Sequence, residues 1–315
     1  MNRRHFLTSI ACAAAMAALL PGCGGQPVTP PATPQYSSQS PAGTGKGTGF
    51  SVTDLVIARG SDPDSLLDRG LAALGGLERM VTKGVVVTVK PNFSVPRRPD
   101  EACTTNPVLV ASVVKRCLAA GAKEVRVIDY PFTSASIVLE KTGIQKAVTA
   151  VGGKVAVINK QSDFQSVEVK GATVLKRTEF SKAVIESDIF INMPILKHHN
   201  MAGLTMGLKN MMGLVWDRGF FHRTDLHQAI AELATVRKPD LVILDAIRGI
   251  TDHGPVGPGP IRDYNELVLG ADPVAVDAYG AQLFGMKPSE LEYLHIAAKI
   301  GVGQIEWEKL SVKKV

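Results

Sequence analysis

Residues 192–210 hold the densest group of side chains that could carry out chemistry. This run, NMPILKHHNMAGLTMGLKN, directly follows an apolar segment, DIFI, that is typical of a buried strand. Within fourteen residues it places Lys197, His198, His199, Lys209 and Asn210. Ammonium and imidazole groups bind anions, and imidazole also ligates metals and transfers protons. The run therefore predicts a site for an anion, a metal or a proton transfer at the end of a strand.

Two residues of this run are the strongest candidates. The K-x-H pattern favours His199 over His198. Lys209 is predicted to lie early in a helix over 203–213, beside apolar Met and Leu side chains. Such surroundings lower the pKa of a lysine, which could then act as a base, an acid or an electrophile. The alternative is an exposed lysine on an amphipathic helix.

Polar side chains also follow three other predicted strands. Lys90 and Asn92 follow VVVTV, Asp129 ends VRVID, and Asp245 ends LVILD. Ligands of open α/β sheets bind outside the carboxyl ends of the strands, so these residues predict one shared site. The alternative is that each strand simply ends in a polar turn. Asp277, on an apolar helix face, is expected to pair with a strand-end lysine or to bind a ligand.

A metal site is a further hypothesis. His222 and His227 flank Arg223 and Asp225, at a separation that differs from the i, i+4 spacing of a helical zinc pair. The two histidines could still converge if His222 precedes a helix and His227 lies in its first turn. A divalent metal at this pair is therefore left open.

The elements that must position these residues alternate along the chain. Strands are predicted at 85–89, 125–129, 188–192 and 241–245, and helices at 107–121, 135–151, from about 226, and at 273–285. Strands that are apolar on both faces are typical of a parallel sheet covered by helices. The pattern predicts an α/β fold with a mostly parallel sheet and helices on both faces. A small antiparallel excursion is expected at 154–176, and a division into two lobes is left open.

The N-terminus resembles a twin-arginine export signal. Arg3 and Arg4 precede an apolar run, IACAAAMAALL, that is too short for a spanning helix. Cys23 ends LPGC, which resembles a lipobox and predicts a lipid on this cysteine. The alternatives are an ordinary secretory signal and a free Cys23. We expect a signal peptide over 1–22, a flexible tether over 23–49, an α/β domain over 50–315, and a protein anchored on the periplasmic side of a bacterial membrane.

Composition narrows the possible partners. The formal net charge is +6 and no basic run is present, which favours small anionic ligands or a membrane surface and argues against nucleic acid. Cys103 and Cys117 could form a disulfide or remain buried thiols. The sequence has no CxxC, so an iron–sulfur cluster held by this chain alone is not expected.

Several motifs, in order, resemble the bacterial and archaeal family known as domain of unknown function 362. They are KPNF at 90–93, TTNP at 104–107, P-x-L-K-x-H at 194–199, GLKNMMG at 207–213, FHRTDLHQAI at 221–230, PDLVILDAIRG at 239–249 and GADPVAVDAYGAQLFG at 270–285. Some relatives carry ferredoxin-like cysteine modules that this chain lacks. There is also a fainter similarity to the lactate racemase family, in which a His, a small-residue segment and a Lys line the site of a nickel-pincer nucleotide. The order His199, Ala202-Gly203, Lys209 matches that arrangement, and the resemblance does not extend to the cofactor.

The leading hypothesis is an exported, lipid-anchored enzyme that acts on a small carboxylate or phosphate by His- and Lys-assisted proton transfer. Its predicted catalytic residues are Lys90, Lys197, His199, Lys209 and Asp245. Its predicted ligand- or cofactor-binding residues are Asn92, Thr105, Asn106, Asp129, Asn210 and Asp277. The alternatives are a non-catalytic lipoprotein that captures an anion and an accessory protein of electron transfer. The cofactor and any protein partner are left open.

Overall fold

The computed structural model describes residues 54–315, which belong to one compact unit. The predicted signal peptide and tether lie outside the described residues, as do Arg3, Arg4 and Cys23. The strands are β1 (Leu55–Arg59), β2 (Val86–Pro91), β3 (Glu124–Asp129), β4 (Lys154–Val157), β5 (Phe164–Glu168), β6 (Arg177–Ser181), β7 (Ile189–Met193), β8 (Lys197–His199), β9 (Gly203–Thr205), β10 (Leu241–Ile250), β11 (Ile261–Gly270) and β12 (Val312–Lys314).

The helices connect these strands. They are α1 (Pro63–Ala73), α2 (Pro107–Ala119), α3 (Ala135–Thr142), α4 (Ile144–Ala150), α5 (Lys182–Ile185), α6 (Gly207–Asn210), α7 (Gly219–Arg223), α8 (Leu226–Leu233), α9 (Pro273–Phe284) and α10 (Glu292–Lys299). Within the described part of the chain, no helix combines the length and the apolar character that crossing a membrane requires.

Eight strands form one sheet in the order β12-β1-β11-β10-β7-β2-β3-β4. Strands β10, β7, β2, β3 and β4 run parallel to one another, whereas β11 runs antiparallel to both β1 and β10. The predicted α/β fold with a mostly parallel sheet is confirmed. The carboxyl ends of β2, β3, β7 and β10 consequently lie along one edge of the sheet.

The sheet separates two apolar layers. Alternate residues of a strand point to opposite faces, so Leu55 and Ile57 of β1 pack in one layer and Val56 in the other. Helices α8, α9 and α10 contribute to the first layer, and α1, α2 and α4 contribute to the second. The helices thus cover both faces, as the strand composition indicates.

Three local predictions need correction. The helix expected over 135–151 is two helices, because Gly143 takes a left-handed conformation (φ 69°) that ends α3. The antiparallel excursion expected at 154–176 is shifted along the chain: β4 joins the main sheet, and β5 pairs with β6 outside it. The helix expected over 203–213 is strand β9 followed by α6, which is one turn long, and a further turn at Met211–Leu214.

Candidate functional site

A cavity of about 160 Å³ lies where β2 and β3 end, next to the hairpin β8–β9 and to α6. Its basic lining side chains are Lys90, Lys197, His199, Lys209, Arg218 and His222. Asp129 is the one carboxylate among the lining residues, all of which lie in the described part of the chain. Since basic groups greatly outnumber carboxylates there, the cavity is suited to an anion.

The hairpin β8–β9 supplies one wall of this cavity. Lys197 of β8 lies directly opposite Thr205 of β9, and His199, two residues further along β8, points to the same face. Gly203 adopts a φ of 75°, a conformation that glycine accommodates without strain, at the point where the chain turns back. The side chains of Lys197, His199 and Thr205 line the cavity. His198 lies on the other face of the hairpin, where its Nδ1 accepts the N–H of Gly254 at 3.1 Å.

Lys90 is held at the base of the cavity by a buried ion pair. Its Nζ lies 2.8 Å from Oδ1 of Asp129, and both side chains are almost completely buried. The carboxylate also accepts the N–H groups of Phe93 and Tyr130, each at 2.8 Å. A Cβ at Gly213 would lie 2.8 Å from Nζ of Lys90, so the pair leaves no room for a side chain there. Lys90 and Asp129 therefore form part of the framework of the site.

Lys197 is likewise bound to protein oxygens. Its Nζ donates to the carbonyl oxygens of Cys103 and Pro255, at 2.5 and 2.9 Å, and to Oδ1 of Asn92 at 3.3 Å. Burial lowers its pKa to about 8. These contacts fasten two loops to the hairpin, so Lys197 holds the cavity closed on that side.

Three asparagines connect the lysines to the sheet. Oδ1 of Asn210 accepts Nζ of Lys90 at 2.8 Å and Nδ2 of Asn92 at 3.1 Å. Nδ2 of Asn210 donates to Oδ1 of Asn192 at 2.8 Å, and Nδ2 of Asn192 donates to the carbonyl oxygen of Gly207 at 2.9 Å. Because each amide is satisfied by another protein group, this network fixes α6 against the strand ends.

Lys209 differs from the other lysines of the cavity. Among the described residues, no hydrogen bond or ion pair reaches its Nζ. Burial is the main cause that lowers its pKa to about 7, and the charges of Lys197, Arg218 and Lys90 add to the effect. Thr205 is also unsatisfied, because its buried hydroxyl has no hydrogen-bond partner among the described residues. Two polar groups in one cavity are thus free to bind a ligand.

His199 has a defined orientation. Its Nδ1 accepts the backbone N–H groups of Met201 and Ala202, each at 3.2 Å. Burial, followed by the charges of Lys209 and Lys197, lowers its pKa to about 3. The ring is therefore neutral at physiological pH.

Asp277 lies outside the cavity and holds the start of α6. It does not line the cavity, and its carboxylate accepts the N–H groups of Gly207 at 2.7 Å and Leu208 at 2.9 Å. Burial raises its pKa to about 7. These two bonds satisfy the start of α6, which carries Lys209, so Asp277 positions that lysine.

Besides Asp277, three more of the predicted binding and catalytic residues lie outside the cavity. Asp245 and Asn106 border a separate pocket of about 20 Å³, where the Asp245 carboxylate accepts the N–H groups of Asn106 at 2.8 Å and Ile247 at 3.2 Å. The Thr105 hydroxyl donates to the carbonyl oxygen of Met193 and accepts the N–H of Asn92, both at 2.8 Å. The structure therefore gives these residues contacts that organise loops.

The two histidines suggested as a metal pair are not brought together in the cavity. His222 lines it, whereas His227 stacks on Tyr293, with Nε2 3.8 Å from Glu292. Within residues 54–315, no group of three or more His, Cys, Asp or Glu side chains could hold a metal ion. The donor set of the cavity therefore does not fit a metal held by the side chains of the described residues.

The sequence reasoning did not find Thr205 or Arg218. Thr205 could have been found, since a hairpin over 197–205 places it opposite Lys197. Arg218 had no comparable signal: its guanidinium donates to the carbonyl oxygens of Tyr130 and Pro131, at 2.7 and 3.3 Å, and so belongs to the cavity wall.

Cys103 and Cys117 are both buried free thiols, so of the two alternatives for these cysteines the structure has the buried thiols.

Comparisons with known proteins bear on this chain in three ways. The sequence pattern described as "Domain of unknown function (DUF362)" matches residues 87–282. A thylakoid-associated protein of Synechocystis sp. is 28% identical over 246 residues, which cover 74% of this chain and 73% of that protein. The structure of the lactate racemase apoprotein from Thermoanaerobacterium thermosaccharolyticum aligns with a TM-score of 0.47 and 14% identity, over 72% of this chain and 56% of that one. The chain thus spans little more than half of the racemase.

Proposed function

Because the chain belongs to the DUF362 family, whose description names no activity, we propose its function from the cavity: it is an enzyme that binds a small anionic metabolite and transfers a proton through Lys209. The observation that carries the proposal is the pair of unsatisfied groups, the Lys209 ammonium and the Thr205 hydroxyl, in a cavity whose other lysines are held by protein oxygens. The ligand is a carboxylate or a phosphate.

The charge of the cavity supports an anionic ligand. Asp129 is paired with Lys90, and within residues 54–315 the hydrogen bonds of the Lys197 ammonium go to carbonyl and amide oxygens. The Lys209 ammonium is met by no protein group in the described residues. An anion that reaches Lys209 would therefore compensate charge that the protein leaves uncompensated, through a charge-assisted hydrogen bond.

The pKa of Lys209 supports proton transfer. At a pKa of about 7, the neutral amine and the ammonium are both populated near neutral pH. The neutral amine can accept a proton from the ligand, and the ammonium can return one. A bound anion raises the pKa of this lysine, which makes the neutral amine a stronger base and at the same time lowers the fraction of Lys209 that is neutral.

Binding of inorganic phosphate and acetate, measured by calorimetry between pH 6 and 9, tests the anion site. We expect affinity to fall as pH rises above about 7, by up to about tenfold per pH unit, because Lys209 loses its proton. Lys209→Met should lose most of the binding and the pH dependence. Lys115→Met, at an exposed position of α2, is the matched control and should bind like the parent. Equal binding by the parent and Lys209→Met would refute the site.

Deuterium exchange separates catalysis from capture. Carboxylates with a C–H bond next to a carbonyl group are incubated with the protein in D₂O, and incorporation of deuterium is followed by NMR. Exchange that requires Lys209 supports the enzyme. Anion binding without exchange, for every carboxylate of the panel, would favour the alternative function, a lipoprotein that captures an anion.

We propose further that the protein is exported and lipid-anchored. The support is sequence alone: Arg3 and Arg4 stand before an apolar run, and Cys23 closes it. Replacing both arginines with lysine should block export, and Cys23→Ser should release the mature protein from membranes. Normal fractionation of the first variant would refute the twin-arginine route, and membrane retention of the second would refute the lipid anchor.

A further inference from the structure

The hydrogen bonds of His199 specify which ring nitrogen carries the proton. A backbone N–H can only donate, and two of them, from Met201 and Ala202, converge on Nδ1. Nδ1 must therefore present its lone pair, which leaves the single proton of the neutral ring on Nε2. A proton on Nδ1 would face two N–H donors in a buried position and break both contacts.

The groups around the ring oppose a second proton. Lys197 and His198 belong to the same strand, Lys209 faces the ring from α6, and His222 faces it from α7. All of them act against a positive charge on His199, and the Asp129 carboxylate of the cavity is committed to Lys90. His199 lines the cavity and its Nδ1 is turned to the backbone of the hairpin, so we infer that its Nε2 edge faces the cavity.

We propose that His199 is a permanently neutral hydrogen-bond donor, whose Nε2–H binds an oxygen of the anionic ligand together with the Thr205 hydroxyl and the Lys209 ammonium. In this role His199 neither shuttles protons nor coordinates a metal through Nε2, since coordination would require the proton to move to Nδ1. The identity of the bound group as an anion rests on the proposed function. The tautomer rests on the hairpin geometry alone.

NMR of protein labelled with ¹⁵N-histidine tests the tautomer, with His199→Gln used to assign the signals. We expect His199 to show the Nε2–H form, unchanged from pH 5 to 9. An Nδ1–H form, or a His199 signal that titrates within this range, would overturn the proposal.

Binding of inorganic phosphate tests the donor. His199→Ala should weaken binding about tenfold, whereas His199→Gln, whose amide places an N–H near the position of Nε2, should stay within about threefold of the parent. His198→Ala, on the other face of the hairpin, should bind like the parent. Parent-like binding by His199→Ala would overturn the donor role.

The two measurements separate this inference from the function on which it rests. If the parent binds neither phosphate nor acetate, the proposed function fails, and the donor role fails with it. The spectrum still decides the tautomer in that case, because the tautomer does not depend on a ligand.

Discussion

Lys90 near the end of β2 and Asp245 within β10 have opposite roles in this molecule. Lys90, near the end of β2, lines the large cavity, whereas Asp245, in β10, borders the small pocket. In the register of the sheet, Lys90, Asn192 and Val242 share one face, and Asp245 lies three residues beyond Val242. An odd separation along a strand reverses the face, so Lys90 and Asp245 point to opposite sides. A shared sheet edge is therefore not sufficient to place two residues in one site.

The two regions also differ in how their charges are stabilised. The Asp129 carboxylate next to Lys90 has an ion pair and two backbone N–H donors. Asp245 has two backbone N–H donors and no ion pair among the described residues. Burial accordingly raises the pKa of Asp245 to about 6. The Asp129 charge is thus compensated by an ion pair, whereas Asp245 has no such partner within residues 54–315 and gains or loses its charge near pH 6.

The largest effect is expected from breaking the ion pair of the cavity. Lys90→Met leaves the Asp129 carboxylate buried without its partner, which costs about 3–5 kcal/mol of the free energy of unfolding. Denaturation by urea measures this loss. The double variant Lys90→Met with Asp129→Asn should recover part of it, since no charge remains buried. A cost below about 1 kcal/mol for the single variant would mean that the pair is not buried in solution.

The second-largest expected effect is a pH dependence of the free energy of unfolding, and it arises from Asp245. The pKa of Asp245 is about 6 in the folded protein and near 3.9 in an unfolded chain, so the folded state binds more protons between these values. Stability should therefore fall by about 3 kcal/mol in total as pH rises from about 3 to about 7, with most of the loss, about 2 kcal/mol, between pH 4 and 6. The comparison of the parent with Asp245→Asn isolates this contribution, because Asp277, whose pKa is also raised, is present in both proteins. Parallel stability curves for the two proteins would contradict the assignment.

Much of the fold could be predicted from the sequence, because apolar periodicity is a local property. The central strands and the helices α2, α8 and α9 follow from short runs of residues. Strands β1, β11 and β12 were missed. β11 begins with IRDYNE, which carries charges in its exposed half, and its antiparallel pairing with β1 joins residues more than two hundred positions apart. Pairing of that kind leaves no local signal.

The candidate site was only partly predictable, for the same reason. The run 192–210 could be recognised because its residues lie close together in the chain, and a hairpin and α6 do bring His199 and Lys209 to one cavity. The distinction between Lys209 and the two other lysines depends on carbonyl oxygens at Cys103 and Pro255 and on Asp129, which are distant in sequence. Which lysine is free to bind a ligand is therefore a property of the fold.

The smallest expected effect on the free energy of unfolding comes from two buried threonines, one in each region, and it compares the two regions most directly. Thr205 in the cavity and Thr104 in the small pocket are both buried, and neither hydroxyl has a partner among the described residues. Valine has nearly the same shape as threonine, so Thr205→Val and Thr104→Val each remove an unsatisfied hydroxyl. Each should leave the free energy of unfolding unchanged or raise it by up to about 1 kcal/mol.

The two variants should differ in binding. Thr205→Val should weaken the binding of inorganic phosphate by about fivefold, because the ligand loses one hydrogen bond, and Thr104→Val should not change it. Stability by urea denaturation and affinity by calorimetry are measured on the same preparations. Equal affinities for the two variants would mean that the Thr205 hydroxyl does not face the ligand. Weaker binding by Thr104→Val would mean that the pocket around Asp245 takes part in binding after all, and the separation of the two regions would be wrong.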